Sequence, residues 1–380
     1  MKILLVDKRK DALHALQAQG HHVTVVHEQP FLKQPAFPIV IADLSNNELS
    51  YWQKIAGPLL PVGFDAVLAS SERAVLPAAF LRSALGIPGT SIEVAQKCTN
   101  KVIMKTVISQ AKIPCASFTF ADNEDLNGAI IIKRLGLPLV IKPRIGSGGR
   151  NNKVIYQHKD MPSHISPLFL AESLVSGIEM SIESFIVNGE IVFTNITEYF
   201  QNRFANILPA EISETQQRLV HQLNQAVIKA LNIQQGLTHL ELFLNQQGAI
   251  FGEIALRPPG GHIMKLVEYA YGFNAWNAWL MVECGQKLIV NAYPQQSAGM
   301  WIYYPPCGVV KAIDGVEHAR QMPGVKTCRL LLKSGDIISE RKGSGEQKGY
   351  IIVTGSDRDT VAKRLERAYQ AITIEVLPGM

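Results

Sequence analysis

The chain has 380 residues, 47% of them apolar and 18% charged, with a net charge of +5; that length and balance suit a globular protein of about two or three domains. No apolar run reaches a membrane span, the N-terminus lacks a signal-peptide layout, and no Lys/Arg-rich run or helix offers itself to nucleic acid. The five cysteines (Cys98, Cys115, Cys284, Cys307 and Cys328) show no metal-type spacing, so they are expected to be reduced, mostly buried thiols in a cytoplasmic protein.

Residues 1–95 alternate strand and helix. KILLVD, HHVTVVHE, FPIVIAD and FDAVLAS read as strands, with helices over 9–19 and 77–85 that stop at Gly20 and Gly86. That alternation predicts a small parallel sheet with helices on both faces. Asp7-Lys8-Arg9-Lys10 after the first strand carries no glycine fingerprint, which argues against a dinucleotide there. Thr99-Asn100 offers a cap for a helix over 101–110, and a second helix is expected over 122–135, closed by Gly136.

Leu137 to Ile155 reads as an apolar strand ending in Lys142-Pro143, a loop Gly146-Ser147-Gly148-Gly149-Arg150, and another strand. Glycines let backbone N–H groups approach a polyphosphate, and Lys142 adds a charge beside them. The spacing matches neither the P-loop nor the dinucleotide pattern, and a mobile surface loop is the plain alternative. Residues 178–187 and 190–197 pair about Asn188-Gly189 as a hairpin. The polar and aromatic run Glu198–Pro209 reads as a loop that could face an acceptor, and 214–231 as a helix with apolar residues at helical spacing.

Leu240 to His262 forms strand, turn, strand and stop. Glu241 and Glu253 lie equidistant from a turn centred near position 247, so they are expected to be cross-strand neighbours. Apolar flanks imply half-buried strands, where two carboxylates repel unless a cation lies between them. Mg²⁺ (or Mn²⁺) shared with phosphates is such a cation, and two exposed carboxylates on an ordinary hairpin are the alternative. Arg257 lies on the same strand face beyond Glu253, and His239 on the same face as Glu241, where it would orient or touch the site. Pro258-Pro259-Gly260-Gly261-His262 turns into a helix over 262–271, either as an anion site or as a simple helix entry. After residue 291 strands dominate again, at 299–304, 308–313, 327–333, 336–340 and 350–354, followed by a helix over 357–372. Gly343-Ser344-Gly345-Glu346-Gln347-Lys348-Gly349 reads as a flexible hairpin loop.

The order of lysine, glycine loop, hinge glutamates, paired glutamates and arginine resembles the ATP-grasp superfamily. The run from Gly308-Val309-Val310 through Gly335-Asp336 to the Gly355 helix resembles its carboxylate–amine ligases, including the L-amino acid ligases that make dipeptides. The resemblance implies an α/β (α+β overall) ATP-grasp architecture. Residues 1–95 would be an N-terminal parallel α/β domain, 96–290 the ATP-grasp domain with a mobile lid at about 115–170, and 291–380 a C-terminal mixed-sheet domain completing the substrate site. It implies ATP and Mg²⁺ as cofactors, small carboxylate and amine substrates, no nucleic acid or membrane partner, and room for a homodimer.

Residue by residue, the resemblance puts Lys101, Lys142 and the loop Gly146, Ser147, Gly148 and Gly149 on the phosphates. Glu172 would accept from the adenine amino group, the backbone near Leu174 and Val175 would pair with the ring, and Glu179 would hold the ribose hydroxyls. Glu241 and Glu253 would be the metal ligands, with His239 nearby, and Arg257 and Lys142 would carry the chemistry. Glu72 and Arg73 would lie near the substrate cleft. One position departs: where the family usually has asparagine, this chain has Ala255, which has no ligand atom. The implied reaction is ATP-dependent formation of an acyl phosphate and its capture by an amine. The alternatives are an enzyme of the same fold that activates bicarbonate or formate, and a nucleotide-binding regulator without turnover.

Overall fold

A computed structural model describes the chain except residues 31–34, 201–203, 342, 344, 379 and 380. The N-terminal strands Lys2–Val6, His22–His27, Ile39–Ile41 and Ala66–Ala69 are parallel, and the first lies between the second and fourth. Both faces of Lys2–Val6 are covered, as a parallel sheet requires. Leu4 and Val6 join a core containing Trp52 and Phe80, while Ile3 and Leu5 join one containing Leu13 and Trp279. The helix Val75–Leu85 ends at Gly86, which turns the chain at φ 69°.

Helix Lys101–Gln110 starts where the capping signal puts it, because the Asn100 side chain accepts from the N–H groups of Val102 and Ile103. Beyond it, strands Phe118–Phe120, Phe169–Ser173, Leu139–Pro143 and Lys153–Ile155 form a small sheet around a separate core of Ile131, Leu139, Ile141, Ile155, Ile165 and Ala171. The helix expected over 122–135 is only Gly128–Leu135. Asn127 caps it, and Leu126–Asn127 pairs instead with His164–Ile165.

The centre of the molecule is an antiparallel sheet of eight strands. Across it run Gly248–Ala255, Gly236–Asn245, Ile178–Val187, Glu190–Phe200, Ala205–Leu208, Ser297–Tyr303, Gly349–Gly355 and Val325–Leu330. Helix Glu214–Leu231 packs behind the first strands, and helices Ile263–Tyr271 and Ala275–Glu283 cover part of the front. The C-terminal segment therefore extends the central sheet, with Val361 and Leu365 of helix Arg358–Gln370 packed behind it. Helix Val316–Gln321 and strand Thr373–Leu377 were not legible in the sequence, and the strand expected over 336–340 shrinks to Ile337–Ile338.

The run 198–209 is a correction as well. Glu190–Phe200 and Ala205–Leu208 make most of it strand, and Gln201, Asn202 and Arg203 lie outside the described residues. Ala205 and Ile207 pack behind the sheet with Trp301 and Val353, a period of two too short to recognise across the gap. In the 343–349 loop Ser344 likewise lies outside the described residues. The cysteines are free thiols, with Cys98 and Cys328 buried and Cys307 exposed. Among the described residues no helix is long and apolar enough to cross a membrane.

Candidate active site

The hairpin of Gly236–Asn245 and Gly248–Ala255 has a two-residue turn, with Asn245 paired to Gly248. Regular pairing from that turn would set Glu241 opposite Gly252 and send Glu253 to the core face with Phe251. Instead the register shifts after Leu242, Gly252 is bulged out, and Glu253 pairs directly with Glu241. A Cβ on Gly252 would lie 2.9 Å from the Glu241 carbonyl oxygen, so the close approach needs glycine. Ile254 returns to the core beside Leu240.

The two carboxylates are part of a charged chain. Lys101 Nζ lies 2.9 Å from Glu253 Oε1 and donates to the Gly146 carbonyl at 2.7 Å, tying the glycine loop to the hairpin. His239 Nε2 stands 3.6 Å from Glu241 Oε1, and its Nδ1 lies 2.9 Å from Glu183. Glu183 is buried and also accepts from Ser181, Asn195 and Thr197. Burial works against a charged imidazole, but Glu183 and Glu241 outweigh it and hold the His239 pKa up at about 9. Ala255 is the cross-strand partner of His239, so the side chain beside the missing asparagine is an imidazole.

Lys142 is buried and ion-paired to Glu172, and Lys105 approaches the other Glu172 oxygen at 2.7 Å, a close contact with poor hydrogen-bond alignment. Burial opposes the charge on Lys142, but Glu172, Glu253 and Glu241 push its pKa up. Glu172 thus holds two ammonium groups, which differs from the expected free acceptor for an adenine amine. The N–H of Leu174 is likewise committed, to the Pro138 carbonyl at 3.0 Å, so it cannot serve a purine ring. Val175 follows it on the exposed edge, and Glu179 is half-buried at the start of the strand Ile178–Val187. Gly146, Ser147, Gly148 and Gly149 form the turn between Leu139–Pro143 and Lys153–Ile155, with Gly146, Gly148 and Gly149 at positive φ.

Arg257 Nε pairs with Glu72 at 3.1 Å, bringing the N-terminal domain to the hairpin. Burial raises the Glu72 pKa, Arg257 and Lys101 oppose the rise, and Glu253 adds to it. Arg73 turns away to Asp7 and Glu28. Sequence reasoning missed Lys105, Glu183 and Arg9. Lys105, four residues after Lys101 on the same helix face, was the one with a readable signal.

Two opposed, partly exposed carboxylates fit a hard divalent cation that fills its shell with phosphate oxygens and water. Among the described residues no three His, Cys, Asp or Glu side chains converge as a cage, so the donor set suits an ion that arrives with a polyphosphate.

Comparison with known proteins bears on the domains and the fold. The family model described as "ATP-grasp domain" matches residues 106–264, and "L-amino acid ligase C-terminal domain 2" matches 300–377. An L-arginine-specific L-amino acid ligase of Bacillus subtilis is 28% identical over 320 residues, covering 78% of this chain and 77% of that protein. The fold is that of an L-amino acid ligase from Bacillus licheniformis, with a TM-score of 0.82 at 19% identity over 99% of this chain and 98% of the other. An N5-carboxyaminoimidazole ribonucleotide synthetase from Thermotoga maritima gives 0.76 at 18% identity, with 99% of each chain covered. The chain thus carries an ATP-grasp domain followed by an L-amino acid ligase C-terminal domain, and over most of its length it is similar to an L-amino acid ligase.

Proposed function

We propose that this protein joins two small substrates, an acid and an amine that are both amino acids, through an amide bond, converting ATP to ADP and phosphate. The observation that carries the reading is the pairing of Glu241 with Glu253 on one sheet face, linked through Lys101 to the glycine loop. In the first step a carboxylate oxygen of the acid attacks the γ-phosphorus and the bond to the β-phosphate oxygen breaks, giving an acyl phosphate and ADP. In the second the amine attacks the acyl carbon, the carbon–oxygen bond to phosphate breaks, and the amine proton passes to solvent or phosphate.

Phosphoryl transfer depends on positioning and on neutralising charge. A magnesium ion held by Glu241 and Glu253 would draw charge from the phosphate oxygens. Lys101 and Lys142 take phosphate charge from the loop side, with Glu172 fixing Lys142, and Ser147 and the loop glycines line the approach. Arg257, braced by Glu72, faces the acyl phosphate. Val175 and the Leu174 carbonyl form the edge for the purine, and Glu179 accepts from the ribose hydroxyls. Residues of about 115–170, with their own core, act as the lid that excludes water.

The test is ADP release from ATP with pairs drawn from an amino-acid panel. Pair-dependent release that disappears in Glu241→Gln supports the reading. Absence of release across the panel, with ATP binding intact, rejects it, and release that requires bicarbonate instead points to a carboxylating relative.

A further inference from the structure

Beside the Pro258-Pro259 turn lies an arginine that the proposed reaction does not use. Arg9 follows the first strand, where the sequence offers no phosphate motif. Its side chain is only 20% exposed. Its Nη1 donates to the Pro258 carbonyl at 2.8 Å and its Nη2 to the Pro259 carbonyl at 2.7 Å, while its guanidinium lies over the Trp276 ring, 4.9 Å from the centroid. Asp11 stands 3.9 Å away and is half exposed. Lys101, Lys105, Arg82 and Arg257 each have a carboxylate oxygen within 3.1 Å. Arg9 has carbonyls at that range instead, and its nearby carboxylate, the half-exposed Asp11 at 3.9 Å, matches its charge only loosely.

Arg9 also borders a cavity of about 230 Å³, walled by His262, Trp276, Thr327, Tyr350 and Ile352, with Asp11 and Lys265 as the other charged residues of its lining. That volume is below the roughly 300 Å³ at which sites for drug-sized ligands begin. Its floor lies on the catalytic face of the sheet. Cross-strand partners share a face, and the row Tyr199, Asn206, Met300, Ile352 runs unbroken from beside His239 to the cavity. The wall is flat and aromatic, since the His262 ring stacks on Tyr350 with centroids 3.9 Å apart.

One contact joins this cavity to the reacting centre. Arg257 Nη1 donates to the Pro258 carbonyl at 3.0 Å, and Arg9 donates to the same oxygen. Arg257 faces the proposed acyl phosphate and Arg9 faces the cavity, with one peptide group between them.

We propose that this cavity holds the amine-donating amino acid, with its carboxylate on Arg9 and its side chain against His262, Trp276 and Tyr350. A carboxylate supplies the close counter-charge that Asp11 at 3.9 Å does not, Lys265 in the lining offsets Asp11, and the planar guanidinium matches the carboxylate in two-point contact. The α-amino group then points past Pro258 toward the acyl carbon. Side-chain selection falls to the aromatic wall and to Thr327 and Ile352 on the floor. This assignment rests on the ligase reading above.

The experiment separates the two substrates. Hydroxylamine captures an acyl phosphate as hydroxamate and has no carboxylate, so it needs no Arg9. Wild type and Arg9→Gln are compared with a fixed acid, using three nucleophiles: hydroxylamine, free amino acids, and the same amino acids as carboxamides. In Arg9→Gln the KM for the free amino acid rises at least about tenfold, while hydroxamate yield and the carboxamide KM match wild type, and Arg9→Lys recovers part of the loss. Thr327→Phe narrows the floor without touching Arg9, and raises the KM for bulky amines while sparing glycine. An Arg9→Gln enzyme with an unchanged amino-acid KM overturns the assignment. So does a parallel fall in hydroxamate, which would place Arg9 with the acid. If wild type forms no hydroxamate with any acid, the ligase reading itself fails and this assignment falls with it.

Discussion

Glu253 faces Glu241 because Gly252 is pushed out of the ladder between them. The turn alone would have put the two carboxylates on opposite faces of the ribbon. Gly252→Val should therefore damage the site through the backbone. Its Cβ would press on the Glu241 carbonyl and on the Phe243 ring at 3.4 Å. The expected cost is about 1–3 kcal/mol of stability, as for other overpacked positions. Mn²⁺ binding in the presence of ADP, followed by electron paramagnetic resonance, should weaken at least about tenfold. Unchanged Mn²⁺ binding would remove the bulge from the account.

Glu253→Gln should separate metal binding from folding. The substitution leaves Lys101 without its carboxylate but still bonded to Gly146. Hydroxamate formation should fall by about 10²–10³, in the range for loss of one electrostatic contact to a transition state. The urea midpoint should move little, because the buried Lys101 keeps the Gly146 carbonyl and a glutamine oxygen as acceptors and the repulsion of Glu253 on Glu72 is relieved. Chelation by EDTA should abolish wild-type turnover, and added Mg²⁺ should restore it. Metal binding without nucleotide should be weak, because two carboxylates leave most of the shell to phosphate and water.

Glu172→Gln tests the lysine pair. The carboxylate lies between Lys105 and Lys142, and all three side chains are buried. Its loss leaves two buried ammonium groups facing each other with only Glu253 and Glu241 still offsetting the Lys142 charge, and should destabilise the protein by about 3–5 kcal/mol. Glu172→Gln combined with Lys105→Met should recover much of this. A Glu172→Gln protein as stable as wild type would show that water or another carboxylate neutralises the pair.

Asp7 should make the N-terminal domain acid-sensitive. Burial raises its pKa, but hydrogen bonds from Arg73 and Ser71 and the Arg73 charge outweigh it, so the folded value lies below the ordinary 3.8. A depressed carboxylate pKa contributes stability that is present above the unfolded value and lost as pH falls through the folded one. Urea unfolding at pH 6 and at pH 3 should thus show a larger loss in wild type than in Asp7→Asn. Equal losses would mean the ion pair has no net effect on folding.

The sequence alone determined the longer periodic elements and the chemical inventory, while short elements such as Val316–Gln321 and Ala205–Leu208 escaped it. Asn100 set the start of the Lys101 helix because a short side-chain acceptor satisfies the free N–H groups there. Periodicity marked Glu214–Leu231 residue for residue, and two acidic residues about a turn marked the candidate pair, although regular pairing from that turn would have separated them. These features arise within a few residues, so local patterns carry them. Tertiary structure decided which charges meet. The lysines on Glu172, the Arg257–Glu72 pair and the Pro258 oxygen shared by Arg9 and Arg257 each join distant parts of the chain. Such pairings follow from how sheets and helices pack, and no spacing in the sequence encodes them. The bulge at Gly252 lies between the two: the glycine permits it, and the packing of Phe251 and Ile254 into one core demands it.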